Sequence, residues 1–147
     1  MFMSIGLRDT HVQVINLGRD ADRLATTASE LAAQNVTWSR LPAIGPTLEE
    51  ALACPLYDRD RRHYLLGQDM LKGEVGCFLS HLEAIKAFLA SNARYGLVLE
   101  DDIIFPLDAI TALNGAIGYF EDSGAKWDCV NLTEPQQLRR RFVADID

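Results

Sequence analysis

The chain has 147 residues, 48% hydrophobic and 24% charged, the size and composition of one globular domain with its own core. That composition excludes collagen-like, low-complexity and wholly disordered chains. Its 21 acidic and 14 basic residues leave a formal net charge of −7, which repels phosphate backbones and excludes general nucleic-acid binding.

The elements follow in chain order. His11 to Leu17 is a short β-rich run stopped by Gly18, a buried strand ending in a turn. From Ala21 the apolar residues Leu24, Ala28, Leu31 and Ala32 recur at helical spacing, and Asn35 is the stop. Val36 to Leu41 is a second strand, closed by Pro42. Strand, helix and strand in about 30 residues form a βαβ unit, which implies a parallel sheet. Thr47 to Glu50 has the spacing of a capping box, opening a short helix to about Cys54 that Pro55 ends. Asp58 to His63 reads as an exposed loop or a short irregular helix. Gly73 to Ala90 is the clearest helix, with Val75, Phe78, Leu79, Leu82, Ile85 and Leu89 on one face and Cys77, Ser80 and His81 on its flank. Leu97 to Glu100 is an apolar strand, Asp108 to Phe120 a helix with Ile110, Leu113 and Ile117 inward, and Trp127 to Leu132 a last strand. The tail from Thr133 is polar, helical or loose, and its Arg139–Arg141 run reads as a solvated face. The expected architecture is a mainly parallel, twisted α/β sheet with helices on both faces, one domain over residues 1–147.

Three cysteines, Cys54, Cys77 and Cys129, without CxxC spacing point to reduced thiols, with Cys77 a small core residue, and to no zinc module. Arg8 and Asp9 come too early for a signal peptide, and no apolar run approaches the length of a membrane span. The expectation is a cytoplasmic protein, peripheral at the inner membrane at most. A homo-oligomer is compatible with the sequence.

Three segments carry candidate chemistry. Glu100, Asp101 and Asp102 end an apolar strand, where each like-charge pair costs on the order of a few kcal/mol at an effective dielectric near 20. Solvent exposure or a bound hard cation would offset that cost. The carboxyl ends of strands are also where ligands bind in open α/β sheets. Val14 to Arg19 with Asp22-Arg23 delivers Asn16 and two arginines into the turn after the first strand, placed to hold a nucleotide. Arg19 and Arg23 could equally pair with Asp20, Asp22 or Glu30. Gly73 and Gly76 are costly near a helix interior, about 1 kcal/mol each relative to Ala, and suggest a close approach by backbone or ligand. Gly76, Ser80 and His81 would shape the site, although a histidine on such a helix is also a common buried residue.

The ordered triplet V-I-N-L-x-R-x-x-D-R at 14–23, G-E-V-G-C-F-L-S-H at 73–81 and V-L-E-D-D at 98–102 resembles glycosyltransferase family 25, over roughly residues 11 to 132. The resemblance implies a GT-A, Rossmann-like fold. It implies transfer of a sugar, typically galactose from UDP-galactose, to an oligosaccharide or lipooligosaccharide acceptor in lipopolysaccharide biosynthesis. Glu100-Asp101-Asp102 then takes the place of the Asp-x-Asp motif. Asp102 would ligate Mn²⁺ or Mg²⁺ at the diphosphate, and Glu100 or Asp101 would complete the shell or hold the ribose. Asn16, Leu17, Arg19 and Arg23 would border uridine and diphosphate. Family members usually continue for about another hundred residues holding the acceptor site, so this chain reads as the donor half, with no general base assigned. The alternatives are a nucleotide-sugar-binding or interaction protein without turnover, and a structural or regulatory subunit.

Overall fold

The apolar run after Thr10 becomes the centre of the sheet. In the computed structural model, which describes residues 7–124 and 126–132, β1 (Thr10–Asn16) lies between β2 (Ser39–Pro42) and β3 (Tyr95–Glu100). Both pairings are parallel, with Val14 opposite Arg40 on one side and Leu99 on the other. Alternation along β1 then assigns the two faces. Val12 and Val14 join Leu97, with Leu31 of α1 (Ala21–Ala33) and Ile110 of α5 (Ala109–Ser123), in the hydrophobic core. Gln13 points the other way, toward α4 (Lys72–Leu89), and donates to the Ala84 carbonyl at 2.8 Å. Helices therefore cover both faces, and the α/β architecture is the one expected.

Local chemistry explains the element ends. Asn35 takes a left-handed conformation and stops α1. The Thr47 capping box forms at the head of α2 (Leu48–Leu52), with Thr47 N donating to Glu50 Oε2 at 2.8 Å and Glu50 N to Thr47 Oγ1 at 3.2 Å. Of the two readings of 58–63, the helical one holds: α3 (Arg59–Leu66) starts at an Asp58 cap and ends at left-handed Gly67. Asp69 staples α3 to the approach of α4, accepting from Arg59, His63 and Tyr57. Arg59 first, and then His63, hold its carboxyl well below the usual carboxylate range. A lowered folded value means that its contribution is present at neutral pH. It is lost only as pH falls below about 3.9 and on through the lowered value.

Three expectations are corrected. The second strand covers Ser39–Pro42 rather than 36–41; Val36 is buried in the core ahead of it, and Pro42 pairs in register with Asn16. Trp127 to Leu132 is no strand. Trp127 instead stacks on Tyr95, ring centroids 6.0 Å apart, and packs on Phe120, so its ring rather than its backbone meets the sheet. The buried stripe of α4 is Val75, Gly76, Ser80 and Ala84, while Phe78, Ile85 and Leu89 are exposed. Small residues win that stripe because the chain passes hard against the helix. The tail from Thr133 lies outside the described residues.

Gly76 shows how hard. A Cβ there would collide with the Ile44 carbonyl oxygen and stand 2.9 Å from Pro46 Cδ, whereas a Cβ on Gly73 meets nothing within 4 Å. Gly76→Ala is expected to cost about 1–3 kcal/mol, as overpacking against backbone does. Gly73→Ala is expected to be neutral or stabilising by up to about 1 kcal/mol, through helix propensity. Urea unfolding of the two variants measures the contrast; equal midpoints would show that the Ile44 loop is free to move away.

Candidate functional site

The chain leaves β1 for β2 on one side and later lays β3 on the other, so a crevice opens between the carboxyl ends of β1 and β3. A cleft of about 360 Å³ lies there. Its walls are the Leu17–Asp20 turn, the Ala43–Pro46 loop, the first turns of α4 and the Glu100–Asp102 end of β3. Of the expected site residues, Leu17, Arg19, Arg23, Ser80, His81, Glu100, Asp101 and Asp102 line it together. Asn16 and Gly76 stand behind its wall.

Asp101 is the hub. It is only 8% exposed. Its Oδ2 accepts from Asn16 Nδ2 at 2.5 Å, its Oδ1 lies 2.7 Å from Arg23 Nη2, and its backbone carbonyl accepts from the Thr27 hydroxyl at 3.1 Å. Asn16, 2% exposed, is used on every side: Nδ2 also donates to the Asp20 carbonyl, and Oδ1 accepts from Arg40 Nε at 3.0 Å. The same Arg23 nitrogen stands 2.9 Å from Asp102 Oδ2. The repulsion within the acidic triplet is thus offset by a guanidinium, a source beyond the solvent and cation considered from sequence. Arg23 belongs to the aspartates, while Arg19, 79% exposed, stays at the rim beside Asp20.

The three acidic residues differ in what they offer. Asp101 is committed to the fold. The side chains of Glu100 and Asp102 are 50% and 61% exposed, and they bring hard oxygen donors to the cleft. Ser80 builds the opposite wall: its hydroxyl accepts from Ile44 N at 2.8 Å and donates to the Gly76 carbonyl at 2.7 Å. His81 is half-exposed, with Nδ1 3.0 Å from the Cys77 carbonyl and Nε2 3.9 Å from Glu100 Oε1. Cys77 is exposed, correcting its reading as a core residue, and Sγ stands 3.6 Å from Glu100 Oε1. Partial burial of the sulfur, and then the Glu100 charge, push its thiol pKa up. Lys72, Arg40 and the Ala43–Pro46 loop escaped the sequence reading. Lys72 was legible as the cation opening the Gly73–His81 motif; the other two reach the site only through the fold.

The comparisons with known proteins fit this frame. The model of glycosyltransferase family 25, described as an LPS biosynthesis protein, matches residues 9–143, and the chain belongs to that family. It is 27% identical to procollagen galactosyltransferase 1-A of Xenopus laevis over 82% of its length and 20% of the relative's. It is 32% identical to a glycosyltransferase 25 family member of Anopheles gambiae over 65% of its length and 17% of that protein's. An inactive glycosyltransferase 25 family member 3 of Homo sapiens is 34% identical over 48% of this chain and 12% of its own. The chain thus matches about a fifth or less of these relatives' length. No helix among the described residues is long and apolar enough to cross a membrane.

The hub separates two aspartates that look alike in sequence. Asp101→Ala leaves Asn16 Nδ2 without one of its two acceptors in a buried setting and is expected to cost about 1–3 kcal/mol. Asp102→Ala, at an exposed pair, is expected to stay within about 1 kcal/mol of the parent. Denaturant midpoints decide; an Asp102 variant as unstable as the Asp101 variant would make both carboxylates structural.

Proposed function

We propose that the cleft binds a UDP-sugar and that the chain acts as the donor-binding unit of a metal-dependent glycosyltransferase, with galactose the sugar transferred to a glycan acceptor. The observation that carries this reading is the pair of exposed carboxylates, Glu100 and Asp102, at the end of β3 across the crevice from the Leu17–Arg19 turn. A nucleoside diphosphate needs a cation at its phosphates and a polar cradle at the end of a parallel sheet, and both fit this position. Hard oxygen donors suit Mn²⁺ or Mg²⁺, with Asp102 and Glu100 as the ligands and Asp101 behind them. When bound, such a cation neutralises charge on the diphosphate leaving group. Arg19 and Lys72, cations on opposite walls, would hold phosphate oxygens, and Leu17 would pack on the base. Asp101 and Arg23 act by fixing Asp102 in place. Lipopolysaccharide or another glycan as the acceptor's carrier, and a cytoplasmic site of action, belong to the same proposal.

A second reading, donor binding without turnover, has its own support. Arg23 already satisfies both aspartates, and one relative carries the name of an inactive family member.

Calorimetry with UDP, UDP-galactose and UDP-glucose, each with and without Mn²⁺, tests the proposal. UDP is expected to bind weakly alone and more tightly with Mn²⁺, and Asp102→Asn to remove most of that gain while leaving the fold intact. Equal affinity with and without the metal would overturn the metal role. A sugar-transfer assay on the same protein then separates the two readings.

A further inference from the structure

Cys77 and His81 sit one turn apart on α4, and Glu100 meets them from the end of β3. Their donor atoms all lie within 4.8 Å of one another. The sulfur stands 3.7 Å from His81 Nδ1 and 3.6 Å from Glu100 Oε1, and Glu100 Oε1 is 3.9 Å from His81 Nε2. Ligand atoms around a tetrahedral zinc stand about 3.3–3.6 Å apart, so side-chain adjustments on the order of 1 Å assemble the set from its spacing of at most 4.8 Å. The histidine is also oriented for the task. Nδ1 is 3.0 Å from the Cys77 carbonyl, which places the hydrogen on Nδ1 and leaves Nε2, 3.9 Å from Glu100 Oε1, with the free lone pair.

We propose that Cys77 Sγ, His81 Nε2 and Glu100 form a three-ligand site for a thiophilic divalent cation, zinc above all, with a fourth position open to the cleft. Thiolate and imidazole select this class over Mn²⁺ or Mg²⁺, which prefer oxygen alone. Binding releases the thiol proton to solvent, and the cation takes up the thiolate charge beside Glu100. The site ties β3 to α4 across the crevice. It also draws Glu100 away from the carboxylate pair, so zinc here opposes the Mn²⁺-supported binding of UDP; that consequence alone rests on the donor reading.

Cobalt(II) titration of the reduced full chain reads the site directly. One equivalent is expected to give a thiolate-to-cobalt charge-transfer band and intense tetrahedral absorption, both erased by added Zn²⁺. A Cys54→Ser/Cys129→Ser variant, with Cys77 its one thiol, should keep the band; Cys77→Ser should lose it with an unchanged far-ultraviolet dichroism spectrum. Should Cys77→Ser fail to fold, His81→Ala decides: it should weaken cobalt binding about tenfold or more, since even removing a ligand's supporting partner costs that much. Absence of a charge-transfer band, its survival in Cys77→Ser, or unaltered affinity in His81→Ala would overturn the site. In a separate arm, Zn²⁺ should reduce UDP affinity in the presence of Mn²⁺ in the parent but not in Cys77→Ser. If UDP does not bind under any condition, the donor reading fails and the cobalt result still stands.

Discussion

A buried carboxylate needs its partners before the chain around it can settle, and Asp101 has drawn them from two other elements. Asn16 comes from the end of β1, Arg23 and Thr27 from α1, and Asp101 itself from the end of β3. The backbone ends of β1 and β3 are thereby held at one distance, with the first helix locked over them. An exposed ion pair contributes little to stability. This one is different because one side of it is shut away from water, and Asn16 is tied down further by Nδ2 donating to the Asp20 carbonyl and Oδ1 accepting from Arg40. Removing one member strands the others, so the network specifies the geometry of the crevice.

The opposite wall obeys another constraint, the approach of backbone to helix. Gly76 lets the Ile44 carbonyl come against α4, and Ser80, one turn on, takes the Ile44 N–H. Together they fix the Ala43–Pro46 loop over the cleft. The middle of the helix meets the sheet through small residues, Gly76, Ser80 and Ala84, with Phe88 laid over Gly96 of β3 further on, while Phe78, Ile85 and Leu89 are exposed. Packing by small residues brings Cys77 and His81, on the neighbouring stripe, to the cleft rim rather than into the core.

How far the sequence foretold this depends on range. Elements specified by local chemistry were legible: the apolar β-rich run of β1, the Thr47 capping box, the long helix after Lys72 and the strand that runs into three acids. The three motifs also named most of the residues that meet in the cleft. What failed was the direction of long-range packing. Periodicity put Phe78 and Ile85 inward because it weighs apolarity and cannot see a carbonyl arriving at Gly76. The Trp127–Leu132 segment has a strand's composition, yet the stacking of Trp127 on Tyr95 settles it otherwise. The pairing of Arg23 stood open between several acids within a few residues, and the acid that took it lies 78 positions further on. Cysteine spacing likewise hid the thiol's company, because the carboxylate beside Cys77 comes from another element.

The cleft that results has two chemistries on its two sides. Along the end of β3, Asp102 is held by Arg23 and offers oxygen; along α4, Cys77 and His81 offer sulfur and nitrogen. Glu100 stands between them, half-exposed, with Cys77 Sγ 3.6 Å from its carboxylate and no guanidinium upon it among the described residues. Because Asp101 is fixed and Asp102 tethered, Glu100 is the acid of the triplet with freedom to choose a side. Both proposals draw on Glu100, the one setting it beside Asp102 among hard oxygen donors, the other beside Cys77 and His81 in a mixed set with sulfur. The Asp101 network meanwhile holds the backbone next to it, so the two proposals compete for one side chain on a fixed strand end.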